Sequence, residues 1–221
     1  MVLRVLTLFP DMVTPYFESS IMKRAVDKGI VQYQVVNIRD FATDKHKSCD
    51  DAPYGGGAGM VMKPEPLAGA LDSVGASGKR TIYPTPSGRV FNQAAAEELA
   101  GEAELVFICG HYEGIDQRII DLYVDDEITI GNYVLSSGEV ATLTIIDTVY
   151  RLLEGVINDE SLSEESFVNG LLEYPHYTRP EVFRGVRVPD VLLSGHHAKI
   201  QAWRKEHSAK KTARVRPELL L

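Results

Sequence analysis

Short apolar runs alternate with helical patterns along the first two thirds of the chain. Each run has the length of a strand and is bounded by turn residues, whereas the intervening segments repeat apolar residues at helical spacing. Strands that alternate with helices predict an α/β domain with a largely parallel sheet. The predicted strands are RVLTLF, VQYQVVNI, RTIYPT, ELVFICG and EITIG, and the predicted helices are TPYFESSIMKRAVDKG, PEPLAGALDSV, FNQAAAEELAG and DQRIIDLYV.

Charge and composition divide the chain into two parts. A longer helical pattern, GEVATLTIIDTVYRLLEG, closes the first part, and the polar segment NDESLSEESFVNG follows it. We therefore expect an α/β domain over residues 1–157, a flexible acidic linker over 158–170 and a small helical domain over 171–221. Residues 195–221 carry seven Lys or Arg against two Glu, although the whole chain has a formal net charge of −8. This asymmetry favours either a basic tail that contacts a polyanion or a solvated helix face.

Several classes of protein are disfavoured by what the chain contains. Its two cysteines, Cys49 and Cys109, are not spaced as zinc ligands or as a disulfide framework, and Cys109 lies in an apolar run that predicts burial. HYEG resembles the H-x-E of zinc deaminases but lacks their P-C-x-x-C partner, so no metal site is predicted. No apolar run is long enough for a bilayer or a signal peptide, and we expect a cytoplasmic protein without membrane contacts.

The stretch DDAPYGGGAGM has the highest glycine density in the chain. It fails as a Walker phosphate loop because no Lys-Ser or Lys-Thr follows its glycines, and it fails as a dinucleotide fingerprint because its third glycine position is Met. The glycines therefore bring the backbone close to another ligand, or they only shape a connection.

Three further turns follow successive predicted strands: YPTPSGR (83–89), CGHYEG (109–114) and IGNYVLSSGE (130–139). Open α/β sheets bind ligands beside the carboxyl ends of their strands, and glycine there lets backbone groups approach the ligand. Each turn taken singly is more often only a tight turn. Three of them in one sheet favour a cofactor site.

These motifs, with several others in order from residue 1 to about 220, resemble the bacterial tRNA (guanine-N1)-methyltransferases of the TrmD family. The resemblance implies a SPOUT fold, with helices on both faces of a parallel sheet and a deep trefoil knot that ordinary connection rules would not predict. It also implies a homodimer with its active site at the subunit interface. The motifs are LTLFPDM, DDAPYGGGAGM, FICGHYEGIDQR, DEITIGNYVLSSGE, ESFVNGLLEYPHYTRPEVFRG, VPDVLLSGHHAKIQAWR and RPELL.

The activity implied by the resemblance is methyl transfer from S-adenosylmethionine to N1 of guanosine 37 of tRNA. This guanosine lies 3′ of the anticodon and follows another guanosine, and its methylation suppresses +1 frameshifting. A Mg²⁺ requirement is a further property of the family. By the resemblance, the cofactor residues are Tyr83, Pro86, Gly88, Gly110, Tyr112, Glu113, Gly114, Ile130, Gly131, Asn132, Tyr133, Val134, Leu135 and Gly138.

Two catalytic roles follow from the chemistry of guanine. N1 is a poor nucleophile until a general base removes its proton, and the negative charge that then develops on O6 requires a fixed cation or donor. The resemblance assigns the cation to Arg151 and the base to Glu165, which occupies the position of the family's aspartate; Glu164 and Asn169 are alternatives for the base. Asn132, Ser137 and Ala141 are further departures from the family's usual Asp, Gly and Pro.

The resemblance also indicates where the RNA is bound. It places Asp50 and the Gly59 backbone beside the target guanosine or its 5′ neighbour. The basic residues of the second domain would contact phosphates, with Trp203 packing inside that domain. These residues are Lys199, Arg204, Lys205, Lys210, Lys211, Arg214 and Arg216. The alternatives are methylation of another tRNA or rRNA nucleotide, or a non-catalytic RNA-binding protein.

Overall fold

The structure is a computed structural model that describes residues 1–158, 165–167 and 170–220. The chain divides into two compact units, Met1–Ile157 and Asn158–Leu221. Of the predicted linker, residues 159–164 and 168–169 lie outside the described part. The alternative bases Glu164 and Asn169 are among them.

The first unit is built on a five-stranded sheet. All its strand pairs are parallel, and their order across the sheet is β2-β1-β6-β5-β7. Each of the five predicted strand runs overlaps one of these strands, so the predicted parallel α/β fold is confirmed; the knot stays a prediction. The strands within the described residues are β1 (Val2–Thr7), β2 (Gln32–Asn37), β3 (Asp50–Asp51), β4 (Val61–Met62), β5 (Arg80–Val90), β6 (Glu104–Ile108), β7 (Asp126–Thr129), β8 (Val182–Phe183) and β9 (Val186–Arg187).

Helices cover both faces of this sheet. Alternate residues of β1 point to opposite faces, so Leu3 belongs to the core beneath the helices α1, α2, α4 and α6, and Leu6 to the core beneath α3 and α5. Two short 3₁₀ helices, Ile38–Phe41 and Pro217–Leu220, also lie in the described part of the chain. In the part of the chain that the structure describes, the helices are α1 (Pro10–Phe17), α2 (Ser20–Asp27), α3 (Pro64–Ser73), α4 (Gln93–Ala100), α5 (Gln117–Tyr123), α6 (Gly138–Tyr150), α7 (Asp190–Leu193) and α8 (His197–Val215).

One helix predicted from the sequence is two separate helices in the structure. The pattern TPYFESSIMKRAVDKG predicts a continuous helix, but α1 ends at Phe17 and α2 begins at Ser20. The Ser19 hydroxyl donates to the Pro15 carbonyl at 2.6 Å, and Ser20 has a left-handed φ of 52°. Serine side chains compete with the helical backbone in this way, which sequence periodicity does not register.

The turn YPTPSGR is a bulge inside a strand, and it does not end β5 as predicted. Pro84 and Arg89 both lie opposite Ile128 of β7, so the residues between them loop out and pairing then resumes. The chain returns to β7 at Gly88, where an added Cβ would stand 2.4 Å from the backbone of Glu127 and Ile128. Gly88 therefore allows β5 and β7 to approach each other.

The second unit contains the hairpin β8-β9 and the helices α7 and α8. Ser208 and Thr212 form the buried face of α8. The Ser208 hydroxyl donates to the Leu172 carbonyl, and the Leu172 amide donates to the Thr212 hydroxyl at 2.9 Å. These hydrogen bonds hold the segment around Leu172 against a helix whose other faces are strongly basic.

We expect Gly88→Ala to lower the free energy of unfolding by about 3 kcal/mol, because its methyl group meets backbone that cannot move without separating two strands. Urea unfolding measures the change. Gly101→Ala is the matched control, since its methyl group would meet only the Glu98 carbonyl at 3.3 Å. Equal stability of the two variants would contradict the close approach of β5 and β7.

Candidate functional site

Three segments surround one cavity beside the bulge of β5 and the carboxyl ends of β6 and β7. Its volume is about 210 Å³. The bulge of β5 contributes one wall, the loop after β6 a second, and the segment from the end of β7 to α6 a third. The lining residues are Tyr83, Pro84, Thr85, Pro86, Gly110, His111, Tyr112, Glu113, Gly114, Ile128, Thr129, Ile130, Tyr133, Val134, Leu135, Ser136, Ser137, Gly138 and Ala141.

Three residues expected to hold the cofactor are not in this lining. Gly88 lies against the backbone of β7, as described above. An added Cβ at Gly131 would stand 2.4 Å from the ring of Tyr133, so this glycine lets the tyrosine fold back over its own loop. Asn132 is exposed in the same loop.

Some lining residues were not predicted. Thr85, His111, Ser136 and Ser137 add polar groups to the cavity. His111 belongs to the CGHYEG motif and Ser137 to IGNYVLSSGE. Both motifs were predicted to surround a cofactor, but neither residue was itself predicted to bind it.

Close backbone contacts hold the walls of the cavity together. The Gly138 amide donates to the Gly110 carbonyl at 2.8 Å, and an added Cβ at Gly138 would stand 2.7 Å from the Gly110 nitrogen. An added Cβ at Gly110 would in turn stand 2.7 Å from the ring of Tyr83. Glycine at both positions therefore brings the start of α6, the loop after β6 and the buried ring of Tyr83 into direct contact.

The glycine-rich stretch DDAPYGGGAGM lies beside this cavity. The Glu113 amide donates to the Met60 carbonyl at 3.0 Å, and the Met62 amide donates to the Gly114 carbonyl at 2.9 Å. Gly59 has a φ of +82°, and an added Cβ there would stand 2.5 Å from the side chain of Glu113. The stretch is thus joined to the loop after β6 by backbone hydrogen bonds and by a contact that a side chain would block.

Tyr112 connects Asp50 to the same cavity. It has a left-handed φ of 59° and is about half exposed. Burial raises the pKa of Tyr112, and a hydrogen bond and the negative charge of Asp50 raise it further, while Arg39 acts in the opposite direction. Asp50, Arg39 and Tyr112 therefore form one polar group at the edge of the cavity.

A buried carboxylate lies behind the cavity. Glu139, in the first turn of α6, is fully buried. Its Oε1 accepts from the Thr7 hydroxyl at 2.5 Å and lies 2.7 Å from Nε2 of His111. Burial acts to raise the pKa of Glu139, but hydrogen bonds from His111, Ser137 and Thr7 outweigh it and hold the pKa below its ordinary value. The group is therefore an anion at neutral pH.

Comparison with known proteins assigns this arrangement to a family. The profile of the family described as tRNA (Guanine-1)-methyltransferase TrmD matches residues 1–221. A protein of Treponema denticola named tRNA (guanine-N(1)-)-methyltransferase is 63% identical over 216 residues, which are 98% of this chain and 89% of that protein. The protein of the same name from Borrelia duttonii is 61% identical over 223 residues, covering all of this chain and 93% of that protein. The chain belongs to the TrmD family.

In this TrmD-family chain, the two residues predicted to catalyse lie in different units. Arg151 follows the last turn of α6 in the first unit and is half-buried beside Tyr150. Glu165 belongs to the second unit and is half-buried.

The predicted phosphate contacts of the TrmD-family chain lie on or just beyond α8. Lys199, Lys205, Lys210 and Arg214 are exposed, and Lys210 pairs with Glu206 at 2.5 Å. Lys211 is half-buried, and Arg216 is exposed just beyond the helix. The Arg204 guanidinium lies over the ring of Tyr174 at 4.7 Å, so Arg204 also packs within its unit. Trp203 stacks on His207 with ring centroids 3.9 Å apart.

Neither a metal cage nor a membrane helix is found in the described part of this TrmD-family chain. Within residues 1–158, 165–167 and 170–220, no three His, Cys, Asp or Glu side chains are grouped to hold a metal ion. The same residues contain no helix that is long and apolar enough to cross a membrane.

We expect the contribution of Glu139 to the free energy of unfolding to decrease as the pH is lowered. Because its folded pKa lies below the ordinary value of 4.5, the ionised group stabilises the folded state above that value, and this stability is lost as the pH falls through the folded pKa. Urea unfolding of wild type and Glu139→Gln, compared at each pH, should show the wild type losing stability relative to the variant below about pH 4.5. A difference that stays constant down to about pH 3 would contradict an ionised Glu139.

Proposed function

We propose that this protein transfers a methyl group from S-adenosylmethionine to N1 of guanosine 37 in tRNA. The observation that carries the proposal is the full-length match to the TrmD family, together with a cavity at the strand ends that adjoins the DDAPYGGGAGM stretch. Methylation at this position would act against +1 frameshifting, as the family resemblance implies.

The chemistry of the cavity lining supports binding of the proposed cofactor. Tyr83, Ile130 and Leu135 offer apolar surface for a planar ring, and Gly110 and Gly138 leave backbone groups close to the cavity. The Glu139 anion behind the wall suits a cationic ligand. When bound, S-adenosylmethionine supplies an electrophilic methyl group. A Mg²⁺ ion has no cage of three acidic, His or Cys side chains among the described residues, and no step is assigned to it.

Two side chains of the chain prepare the guanine. Glu165 is the general base that accepts the N1 proton, and Arg151 donates to O6 as negative charge develops there. Glutamate and aspartate have similar ordinary pKa values, about 4.3 and 3.9, so the substitution at this position keeps the base strength. The rest of the site supplies alignment for an in-line transfer.

The DDAPYGGGAGM stretch holds the base that is methylated or its 5′ neighbour. Asp50 accepts hydrogen bonds from guanine N1–H or N2–H₂, for which a carboxylate is the complementary group. Gly59 lets the backbone lie against Glu113, so the stretch closes over the cavity without a steric conflict. The basic residues of α8, with Lys199, Lys211 and Arg214 among them, hold the phosphates.

The length of α6 supports a site shared between two copies of the chain. Gly138 begins α6 at the cavity, and Arg151 follows the far end of the helix. Thirteen residues at about 1.5 Å each separate them by about 20 Å along the axis, which is further than an arginine side chain extends. We therefore propose a homodimer in which Arg151 of one copy serves the cavity of the other.

The proposed reaction is tested by incubating the protein with S-adenosylmethionine and an unmodified tRNA transcript that carries guanosines at positions 36 and 37. Mass spectrometric mapping should find one added methyl group, at N1 of guanosine 37. A transcript with adenosine at position 37 is the matched control. Methylation of another nucleotide would replace the proposed target, and absence of both methylation and cofactor binding would favour a non-catalytic RNA-binding protein.

Glu165→Gln should lower the single-turnover rate of methyl transfer by about a hundredfold or more, because glutamine cannot accept the N1 proton. Cofactor affinity should be unchanged. Glu154→Gln is the control, since Glu154 is an exposed carboxylate beyond α6. A Glu165→Gln rate close to that of wild type would remove Glu165 from the mechanism.

Complementation tests the shared site. Arg151→Ala removes the cation, and Gly138→Ala places a methyl group 2.7 Å from the Gly110 nitrogen and closes the cavity. Each variant alone should be inactive. Co-expressed in equal amounts, they should recover about a quarter of wild-type activity, because half of the dimers are mixed and each has one complete site. A mixture as inactive as either variant would place Arg151 and its cavity in the same copy.

A further inference from the structure

Glu139 is a buried charge that the proposed reaction does not use. It is fully buried, and Oε1 receives both well-formed hydrogen bonds, from Thr7 and His111. The other oxygen, Oε2, is buried without a well-formed hydrogen bond in the described part of the chain. Burying a carboxylate is costly, and a neutral side chain of similar shape would often serve a fold better. Its presence therefore requires a reason beyond packing.

In the described part of the chain, the hydrogen bonds and ion pairs of Glu139 involve no Lys or Arg. Cys109, at the end of β6, has its thiol pKa raised by burial and further by the charge of Glu139, so the thiol stays neutral. Thr7, Ser137 and Thr142 carry no charge, and the first turn of α6 contributes only the partial positive charge of its amides. Nε2 of His111 lies 2.7 Å from Oε1 and can donate to the carboxylate without carrying a charge.

This charge lies directly behind the cavity. His111, Ser137 and Gly138 line the cavity, and each of them either contacts Glu139 or is its neighbour in sequence. The wall between the carboxylate and the cavity is therefore one residue thick. In a buried environment of low effective dielectric constant, such a charge acts on a ligand across that wall more strongly than it would in water.

We propose that Glu139 is a positioning and charge residue that makes the cavity favour the cationic methyl donor over its neutral product. The inference rests on the proposed function. In the transfer, guanine N1 gives up its proton to the base and bonds to the methyl carbon, while the C–S bond breaks with its electron pair left on sulfur. The ligand thereby changes from a sulfonium to a thioether and otherwise keeps its structure. Glu139 attracts the sulfonium charge, which the thioether no longer carries, so the product is held less tightly than the methyl donor.

Binding experiments separate this role from a structural one. Isothermal titration of S-adenosylmethionine and of S-adenosylhomocysteine gives two dissociation constants for each variant, and their ratio reports discrimination by charge. Glu139→Gln keeps the shape of the side chain and removes its charge. It should therefore weaken the binding of S-adenosylmethionine by about tenfold relative to the binding of S-adenosylhomocysteine. An analogue with a protonated amine in place of the sulfonium should follow S-adenosylmethionine.

Glu139→Asp is the matched variant that keeps the charge. It shortens the side chain and disturbs the hydrogen bonds with Thr7 and His111, so both ligands should bind more weakly while their ratio stays close to that of wild type. If Glu139→Gln weakens the binding of both ligands equally, Glu139 acts only through packing and the proposal is wrong. If neither ligand binds to wild type, the proposed function fails with it.

A second substitution covers the case in which Glu139→Gln does not fold. Thr7→Val preserves shape but removes one donor to the carboxylate, which raises the pKa of Glu139. The affinity ratio of this variant should therefore depart from the wild-type ratio more at about pH 5.5 than at about pH 7.5. Thr7→Ser keeps the hydroxyl and is the control. Ratios that match wild type at both pH values would overturn the proposal.

Discussion

The contact between the start of α6 and the loop after β6 is the constraint on which the site depends. The Gly138 amide donates to the Gly110 carbonyl at 2.8 Å, and neither position has room for a side chain. Because these two backbones touch, the end of β6 and the first turn of α6 form one wall of the cavity. The same contact places Glu139 beside His111 and Thr7, and it fixes the loops that carry most of the lining.

A second set of backbone hydrogen bonds extends this wall toward the proposed RNA side. Met60 and Met62 pair with Glu113 and Gly114, so backbone hydrogen bonds join the end of the glycine-rich stretch to the loop after β6. Gly59 permits the approach, since any Cβ there would strike Glu113. Under the proposed function, the same few residues position cofactor and guanine, which suits a reaction whose rate depends on alignment.

Much of the fold was predictable, because strand and helix periods are local properties of sequence. The five strand runs, the parallel sheet and the burial of Cys109 follow from apolar patterns, and all are present. The break at Ser19 and Ser20 was missed because it depends on a side-chain hydrogen bond and a left-handed residue. The bulge in β5 was missed because the pairing of Pro84 and Arg89 with one partner is decided by β7, which lies far along the chain.

The sequence by itself determined the fold class, the three glycine-bearing segments and the family, since these depend on residue type and order. Only the tertiary structure decided that Gly88 serves strand packing, that the DDAPYGGGAGM stretch joins the loop after β6, and that Glu139 is a buried anion behind the cavity. The physical reason is that these roles arise from contacts between residues distant in sequence. Thr7 and Glu139, for example, are 132 positions apart, and no local pattern relates them.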